Sequence, residues 1–458
     1  MSMGYKTYTC PIARSCGGCE WLAVPYPVQL RRKQEWIERL FADLTKQDKT
    51  EISPIVGVRG EPLAYRHKAA TPFAPAAKGR LRSGFYAAGT HRIVSCNTCL
   101  VEDPRARHIL QEVARVATRL RIPAYNEDTG QGVLRHAIVR MGWKSKDVLL
   151  TVVTNGREVR RLSRFTDELK RMCPEVTSCV QNVNTRHTNA MLGRENHVLW
   201  GSGVMHDELL GCRFEIGPMS FYQTNPAQTE VLYQLAIDAA QLEEGAQVLD
   251  AYCGTGTIGI CAAAQARAHK VDIKITGIET VREAIGCAKR NAKANLLENN
   301  CRFFAADATN WLTTRKPQQN NFDIALLDPP RAGSTVEFLT ALSQAQPKRI
   351  VYISCNPQTQ LRDLRILREL GYRLDQLTAV DMFPHTKHVE TVALLSKLNT
   401  EHHLDIEIGE DELSEIDFSK DATYGEIKKY VLDKYGLKVS SLYIAQIKRK
   451  HGLIERKL

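Results

Sequence analysis

Val248-Leu249-Asp250-Ala251-Tyr252-Cys253-Gly254-Thr255-Gly256-Thr257-Ile258-Gly259 reads as a buried strand, a glycine-rich turn and the first turn of a helix. Glycines at 254, 256 and 259 leave out the Cβ atoms that would keep a ligand away from the backbone, as a nucleotide-binding turn requires. The segment fits the G-x-G-x-x-G dinucleotide fingerprint, and Glu279 stands at the spacing of an acid that hydrogen-bonds a ribose. On this loop alone NAD and S-adenosylmethionine are both open as ligands, and so is a turn that merely packs.

Outward from the loop, apolar strands alternate with helical segments from about Asn225 to Lys397. Strands read at Val248–Asp250, Ile275–Glu279, Phe303–Asp307, Ile324–Asp328 and Ile350–Ser354, which predicts a doubly wound parallel sheet of Rossmann-like α/β class. Functional residues are then expected at the carboxyl ends of the strands. The acid Asp250, placed ahead of an aromatic residue and the glycine turn, is the methyltransferase form of this loop. Asp328-Pro329-Pro330-Arg331 resembles the substrate-facing motif of methyltransferases that act on planar nitrogen heterocycles. Together they favour S-adenosylmethionine. A nicotinamide enzyme would need hydride-transfer residues where Ser354-Cys355-Asn356-Pro357 stands.

That last string presents a thiol at a strand end, because Pro357 stops the extended run and Asn356 turns the chain. A cysteine there is either a buried residue finishing a core strand or a nucleophile. The nucleophile reading has a defined use. Carbon 5 of uracil is too weakly nucleophilic to accept a methyl group unaided, and a thiolate adding to C6 makes C5 enolate-like. A base must then remove the C5 proton. Glu390, in Phe383-Pro384-His385-Thr386-Lys387-His388-Val389-Glu390-Thr391, stands at the mouth of the last apolar strand, Val392–Leu395, and is the candidate; His385 and His388 are the alternatives.

Ser220-Phe221-Tyr222-Gln223-Thr224-Asn225-Pro226, Asp250-Ala251-Tyr252-Cys253-Gly254, Asp328-Pro329-Pro330-Arg331-Ala332-Gly333, Ser354-Cys355-Asn356-Pro357 and Asp381-Met382-Phe383-Pro384-His385-Thr386 occur in this order. By these strings residues 1 to about 397 resemble the bacterial RNA uracil-C5 methyltransferases, specifically the iron-sulfur branch that acts on 23S rRNA. The resemblance implies Cys355 as nucleophile and Glu390 as proton acceptor. It places Gln223, Tyr252, Thr257, Glu279, Asp307 and Asp328 at S-adenosylmethionine; relatives can carry Asn where Thr257 stands.

Cys10, Cys16 and Cys19 supply three thiols, too few and too irregularly spaced for a zinc ribbon, so a fourth ligand is needed, with Cys96 and Cys99 the nearby candidates. The resemblance selects Cys99 and implies a 4Fe-4S cluster on Cys10, Cys16, Cys19 and Cys99. Zinc on the same thiols is the alternative. The spacing is not that of radical S-adenosylmethionine enzymes. Cys173, Cys179, Cys212, Cys253, Cys261, Cys287 and Cys301 are expected to be buried or incidental.

The chain has 458 residues, with 62 Lys and Arg against 51 Asp and Glu, a net charge of +11. That balance suits an anionic partner, here RNA, with 23S rRNA expected ahead of tRNA. No signal peptide or membrane-spanning run is read, so a cytoplasmic protein without a membrane or obligate protein partner is expected, and its cysteines need not pair as disulfides. The expected organisation is a cysteine-cluster segment with a helix at Tyr26–Leu44 (1–62), an α+β RNA-binding domain that supplies Cys99 (63–224), the methyltransferase domain (225–398), and an acidic linker with a small helical extension (399–458). In that extension helices are expected at Tyr424–Tyr435 and Ser441–His451, the second basic through Lys448, Arg449 and Lys450. Some relatives carry a β-barrel ahead of the cluster, for which Cys10 leaves no room, so RNA grip is expected from elsewhere. Two other readings compete: a tRNA uridine methyltransferase, and a non-catalytic rRNA-binding assembly factor.

Overall fold

Pro25 and Pro27 fix the entry into the first long helix, whose buried positions Gln29, Lys33, Ile37, Phe41 and Leu44 fall on one face. The first turns of that face are polar, carrying Gln29 and Lys33. The computed structural model describes residues 5–87, 89–188, 190–315 and 320–398, and further on residues 425, 428, 429 and 433. The chain divides into two units, Met1–Lys397 and Leu398–Leu458. The acidic linker and the two C-terminal helices lie outside the described residues, apart from those isolated positions.

The first elements are α1 (Ala13–Cys16), α2 (Tyr26–Asp48) and strand β1 (Ile52–Val56). Next come β2 (Lys68–Pro75), β3 (Leu81–Tyr86), β4 (Ile93–Ser95), α3 (Pro104–Arg119), β5 (Leu134–Met141), β6 (Val148–Thr154), α4 (Leu162–Met172), β7 (Ser178–Val183) and β8 (Glu195–Trp200). Their strands form a seven-stranded sheet in the order β4-β3-β2-β5-β6-β7-β8. Helices α3 and α4 cover one face of it, where Ala69, Phe73, Ala137 and Val139 meet Ile109, Val113 and Phe165. Asp103 caps α3 by accepting from Arg105 N at 2.9 Å.

A hairpin, β9 (Met205–Leu209) and β10 (Cys212–Ile216), leads into the second half. There the chain runs α5 (Pro226–Ala240), β11 (Gln247–Ala251), α6 (Thr257–Ala268), β12 (Lys274–Glu279), α7 (Arg282–Ala294), β13 (Cys301–Ala305), α8 (Ala308–Thr314), β14 (Ile324–Leu327), α9 (Val336–Gln344), β15 (Arg349–Ser354), α10 (Pro357–Glu369), β16 (Tyr372–Val380) and β17 (Glu390–Lys397). The strands assemble in the order β1-β16-β17-β15-β14-β11-β12-β13. Alternate residues serve two cores: Val248, Leu326 and Val351 pack with α5–α7, while Leu249, Ala325 and Ile350 pack with α2 and α8–α10.

The Rossmann-like α/β class expected from the sequence is present, but the sheet is mixed rather than wholly parallel. β11 to β15 are parallel, and β17 runs antiparallel between β15 and β16. A short connection joins β16 to β17, with no crossover helix to return the chain in the same direction. The N-terminal β1 pairs parallel with β16, Ile52 opposite Leu377. No helix among the described residues is long and apolar enough to cross a membrane.

Candidate active site

Past the end of β11 the backbone enters the left-handed region at Tyr252 (φ 63°), Gly254 (54°) and Gly256 (77°). A Cβ at Gly256 would fall 2.8 Å from the Phe303 ring, whereas one at Gly254 would meet nothing within 4 Å, so the loop packs on one side and is open on the other. Buried Asp250 ties strand to helix by accepting from Gly259 N at 3.1 Å. Burial pushes its carboxyl up to about 7, with Asp328 and Glu279 adding repulsion. Glu279, at the end of β12, accepts from Val281 N at 2.9 Å, and Asp307 caps α8 through Asn310 N at 2.9 Å. The Asp307 charge reaches the Tyr252 phenol. Thr257 opens α6 with its Oγ1 3.2 Å from the Tyr233 hydroxyl, and Gln223 lies half-buried on the loop entering α5. Acceptors gathered at these strand ends around an open glycine loop suit a ligand carrying ribose hydroxyls and an amino group.

Two strands further along the sheet β15 ends at Ser354, and beyond it β17 begins at Glu390. Ser354 pairs with Thr391, so the next residue on each strand toward the mouth, Cys355 and Glu390, flank the same opening. The frame is pinned: Thr391 Oγ1 lies 2.6 Å from Gln360 Oε1, and Gln360 Nε2 donates to Tyr352 O at 2.9 Å. Asn356 Nδ2 and Thr359 Oγ1 both donate to Arg331 O, at 3.1 and 3.2 Å, which fixes the Asp328–Gly333 loop against the start of α10.

Burial pushes Glu390, 3% exposed, up to about 8, and the Asp328 carboxylate adds to the shift. Burial alone takes Asp328 up to about 7. The half-buried Cys355 thiol is raised by desolvation and by the charges of Glu390 and Asp328, while the Arg331 guanidinium beside it pulls in the opposite direction. Arg331 also acts on Glu390, and the buried Tyr233 phenol feels both carboxylates. A thiol, a proton-accepting carboxyl and a guanidinium at one mouth can add a nucleophile to a ring, stabilise the charge that develops and take up a proton.

Residues 211–398 match the model of the tRNA (uracil-5-)-methyltransferase family. Over 382 residues the chain is 39% identical to an uncharacterized RNA methyltransferase of Oceanobacillus iheyensis, covering 83% of this chain and 81% of that protein. A further uncharacterized RNA methyltransferase, from Staphylococcus epidermidis, is 38% identical over 395 residues, 86% of this chain and 85% of its own. The chain belongs to the RNA uracil-C5 methyltransferase family. Among solved structures, Pyrococcus abyssi tRNA (uracil-54, C5)-methyltransferase in complex with S-adenosyl-L-homocysteine superposes with a TM-score of 0.66 at 26% identity, over 85% of this chain and 87% of that one.

Of the residues singled out in the methyltransferase sequence, the fold brings Cys355, Glu390 and Asp328 to one mouth and Asp250, Tyr252, Thr257 and Glu279 to the neighbouring loop. His385 is drawn away from that mouth. It is fully buried, with Nδ1 3.1 Å from Gln29 Nε2 and Nε2 2.9 Å from Pro62 O, so both ring nitrogens are engaged in holding the loop. His388 is exposed. Arg331 had been read only as part of a motif; its role beside Cys355 becomes visible once β14 and β15 are neighbours. Tyr233 had no sequence signal beyond an apolar helix face.

A polar clamp from α2 holds the loop ahead of Glu390 in the methyltransferase. Lys33 Nζ lies 2.6 Å from Asp381 Oδ1, both side chains fully buried, and donates to Phe383 O at 3.3 Å. Gln29 Oε1 accepts from His385 N at 2.8 Å, Trp21 N donates to His385 O at 2.9 Å, and Asn225 Nδ2 donates to Met382 O at 3.0 Å.

The cysteine segment lies next to this clamp. Burial, then the proximity of Cys99, Cys16 and Cys10, pushes the Cys19 thiol up to about 11. Backbone N–H groups point at two of the sulfurs: Gly18 at Cys16, and Val101 and Glu102 at Cys99. Among the described residues no group of three or more His, Cys, Asp or Glu is arranged to hold a metal ion. The seven remaining cysteines expected to be buried, from Cys173 to Cys301, are buried.

Proposed function

We propose that the enzyme methylates C5 of a uridine in 23S rRNA through a covalent adduct between Cys355 and C6. The observation that carries this reading is the placement of Cys355 and Glu390 on adjoining antiparallel strand ends, with Asp328 and Arg331 on the loop that follows the next strand, β14. Cys355 Sγ, as thiolate, adds to C6, and the electron pair displaced from the C5–C6 bond makes C5 nucleophilic. Arg331 stabilises the thiolate beforehand. S-adenosylmethionine, when bound by Gln223, Tyr252, Thr257, Glu279, Asp307 and Asp328, supplies the methyl group that C5 accepts. Glu390 then takes the C5 proton, the C5–C6 double bond re-forms, and Cys355 leaves as thiolate. Burial makes Glu390 a stronger base than a solvated carboxylate, suited to removing a proton from carbon.

Cys10, Cys16, Cys19 and Cys99 would hold a 4Fe-4S cluster. Thiols near enough to perturb one another, with N–H groups directed at two of them, fit ligation through sulfur hydrogen-bonded by backbone amides. Zinc on the same four thiols is the alternative, since an all-cysteine tetrahedral set also suits that ion. The cluster would brace the segment that carries Trp21 and the α2 clamp.

The second reading is a tRNA uridine methyltransferase, favoured by the tRNA-named family over residues 211–398 and by the archaeal tRNA enzyme. The rRNA reading rests on the resemblance of residues 1 to about 397 to the 23S branch, which implies the ligand set Cys10, Cys16, Cys19 and Cys99. Mass-spectrometric mapping of 5-methyluridine in rRNA and tRNA, with and without the gene, separates the two. Loss of the modification from a 23S uridine is the expected result, loss from tRNA establishes the second reading, and no loss from either overturns both.

A further inference from the structure

Lys68 at the start of β2 and Arg140 on β5 are register partners, so their side chains stand side by side on one face of the seven-stranded sheet. Neither meets a carboxylate among the described residues. Arg140 is 3% exposed; its Nη2 donates to Ser220 O at 2.6 Å, and its buried Nε has no partner. Lys68 is half-buried, and burial together with the Arg140 charge pushes its amine down to about 8. Two desolvated like charges without an acid are unfavourable in the RNA-free protein, and an anion laid against them removes that penalty.

The surroundings say which anion. The loop that accepts from Arg140 carries Met219 and Phe221, 40% and 68% exposed, and leads to Gln223. His67 N donates to Thr224 O at 2.8 Å, fastening the start of β2 to that same loop. On the other side Arg66 lies over the Phe383 ring at 5.9 Å, in the loop that leads to Glu390. Cations therefore run from the loop ahead of Glu390 onto the sheet, beside a loop that bears an exposed aromatic ring, the combination that single-stranded RNA recognises through phosphate and base stacking.

We propose that Lys68, backed by Arg140, binds a backbone phosphate of the RNA strand next to the target uridine, with Phe221 offering a face to a neighbouring base. The proposal rests on the RNA uridine reading given above. Lys68→Met removes the charge while keeping the length of the side chain, and is compared with Lys68→Arg in anisotropy titrations of transcribed 23S rRNA fragments at several salt concentrations. Lys68→Met is expected to weaken binding about tenfold and to reduce the slope of log affinity against log salt by about 0.7 to 0.9, the loss of one phosphate contact. Lys68→Arg restores both. S-adenosylmethionine binding should be unchanged and Tm unchanged or higher, because a repulsive charge has gone. Unchanged affinity and slope overturn the proposal; so does weaker binding accompanied by a lower Tm and lost S-adenosylmethionine binding, which assigns Lys68 to folding. If the wild-type protein methylates no uridine but Lys68→Met still reduces affinity and slope, the functional reading falls and the phosphate subsite stands.

Discussion

The two sheets use burial in opposite senses. The ends of the eight-stranded sheet collect carboxyl groups, and desolvation lifts Asp250 and Asp328 to about 7 and Glu390 to about 8. The face of the seven-stranded sheet collects bases, and desolvation lowers Lys68 to about 8, Arg140 to about 10 and His136 to about 4. One physical effect thus yields groups that keep a proton on one side and groups that release it on the other. The difference teaches a division of labour: strand ends covered on both faces hold carboxyls whose negative charge is disfavoured, while a sheet face next to an exposed loop holds bases whose positive charge is disfavoured until an anion offsets it, the role proposed for the RNA strand.

The acid half breaks most completely with Cys355→Ala. Loss of methyl transfer on the order of 10⁴-fold or more is expected, together with loss of the covalent complex that 5-fluorouridine RNA forms with wild type, read on denaturing gels. A stable complex with the alanine variant would remove Cys355 from the mechanism. Glu390→Gln should lower turnover by roughly 10² to 10⁴-fold and let a methylated protein–RNA adduct accumulate on ordinary RNA, since elimination stalls without the base. Full turnover would pass the role to another group. Lys33→Met leaves Asp381 as a buried acid without its cation, and about 3–5 kcal/mol of stability should be lost in urea unfolding; a change below about 1 kcal/mol would show that the clamp is slack.

The pH dependence sharpens the contrast. Asp250, Asp328 and Glu390 have folded pKa values above those of unfolded carboxyls, so their contribution favours the folded state below about pH 4 and is lost as pH rises through 7 to 8. Stability of the ligand-free protein should fall across pH 5 to 8, by at most about 1.4 kcal/mol per pH unit for each group, and Glu390→Gln should flatten part of that fall. Lys68 has the opposite sign. Its folded pKa is lowered, so its contribution grows as pH climbs from about 8 toward the unfolded lysine value, a limb that Lys68→Met should erase in thermal melts taken between pH 8 and 10.

Much of this was legible in the chain because the chemistry sits at strand ends. Gly254 and Gly256 mark a turn, Pro357 marks where β15 must stop, and apolar runs mark the strands; these are local signals. The clamp was not legible, because Lys33 and Asp381 meet only after α2 packs on the sheet, and a lysine amid charged helix residues reads as solvated. His385 read as a candidate base for the same reason: only burial against Gln29 and Pro62 reveals it as a structural residue. The antiparallel turn of β17 was hidden because an apolar strand carries no mark of its direction. The Lys68–Arg140 pair depends on a register between strands more than sixty residues apart, set by the packing of the whole sheet.

The pairing of Ile52 with Leu377 has a consequence for the order in which the molecule is made. As the chain leaves the ribosome, α2 and β1 emerge early, while the strand that receives them and the loop that Lys33 holds are among the last described residues to be translated. Until then β1 has an unpaired edge and Lys33 has no acid, so the early segment waits in an aggregation-exposed state. Assembly of the mouth between β15 and β17 is thereby deferred to the end of synthesis, and a nascent chain stopped before residue 381 carries the glycine loop at 254–259 but lacks Glu390.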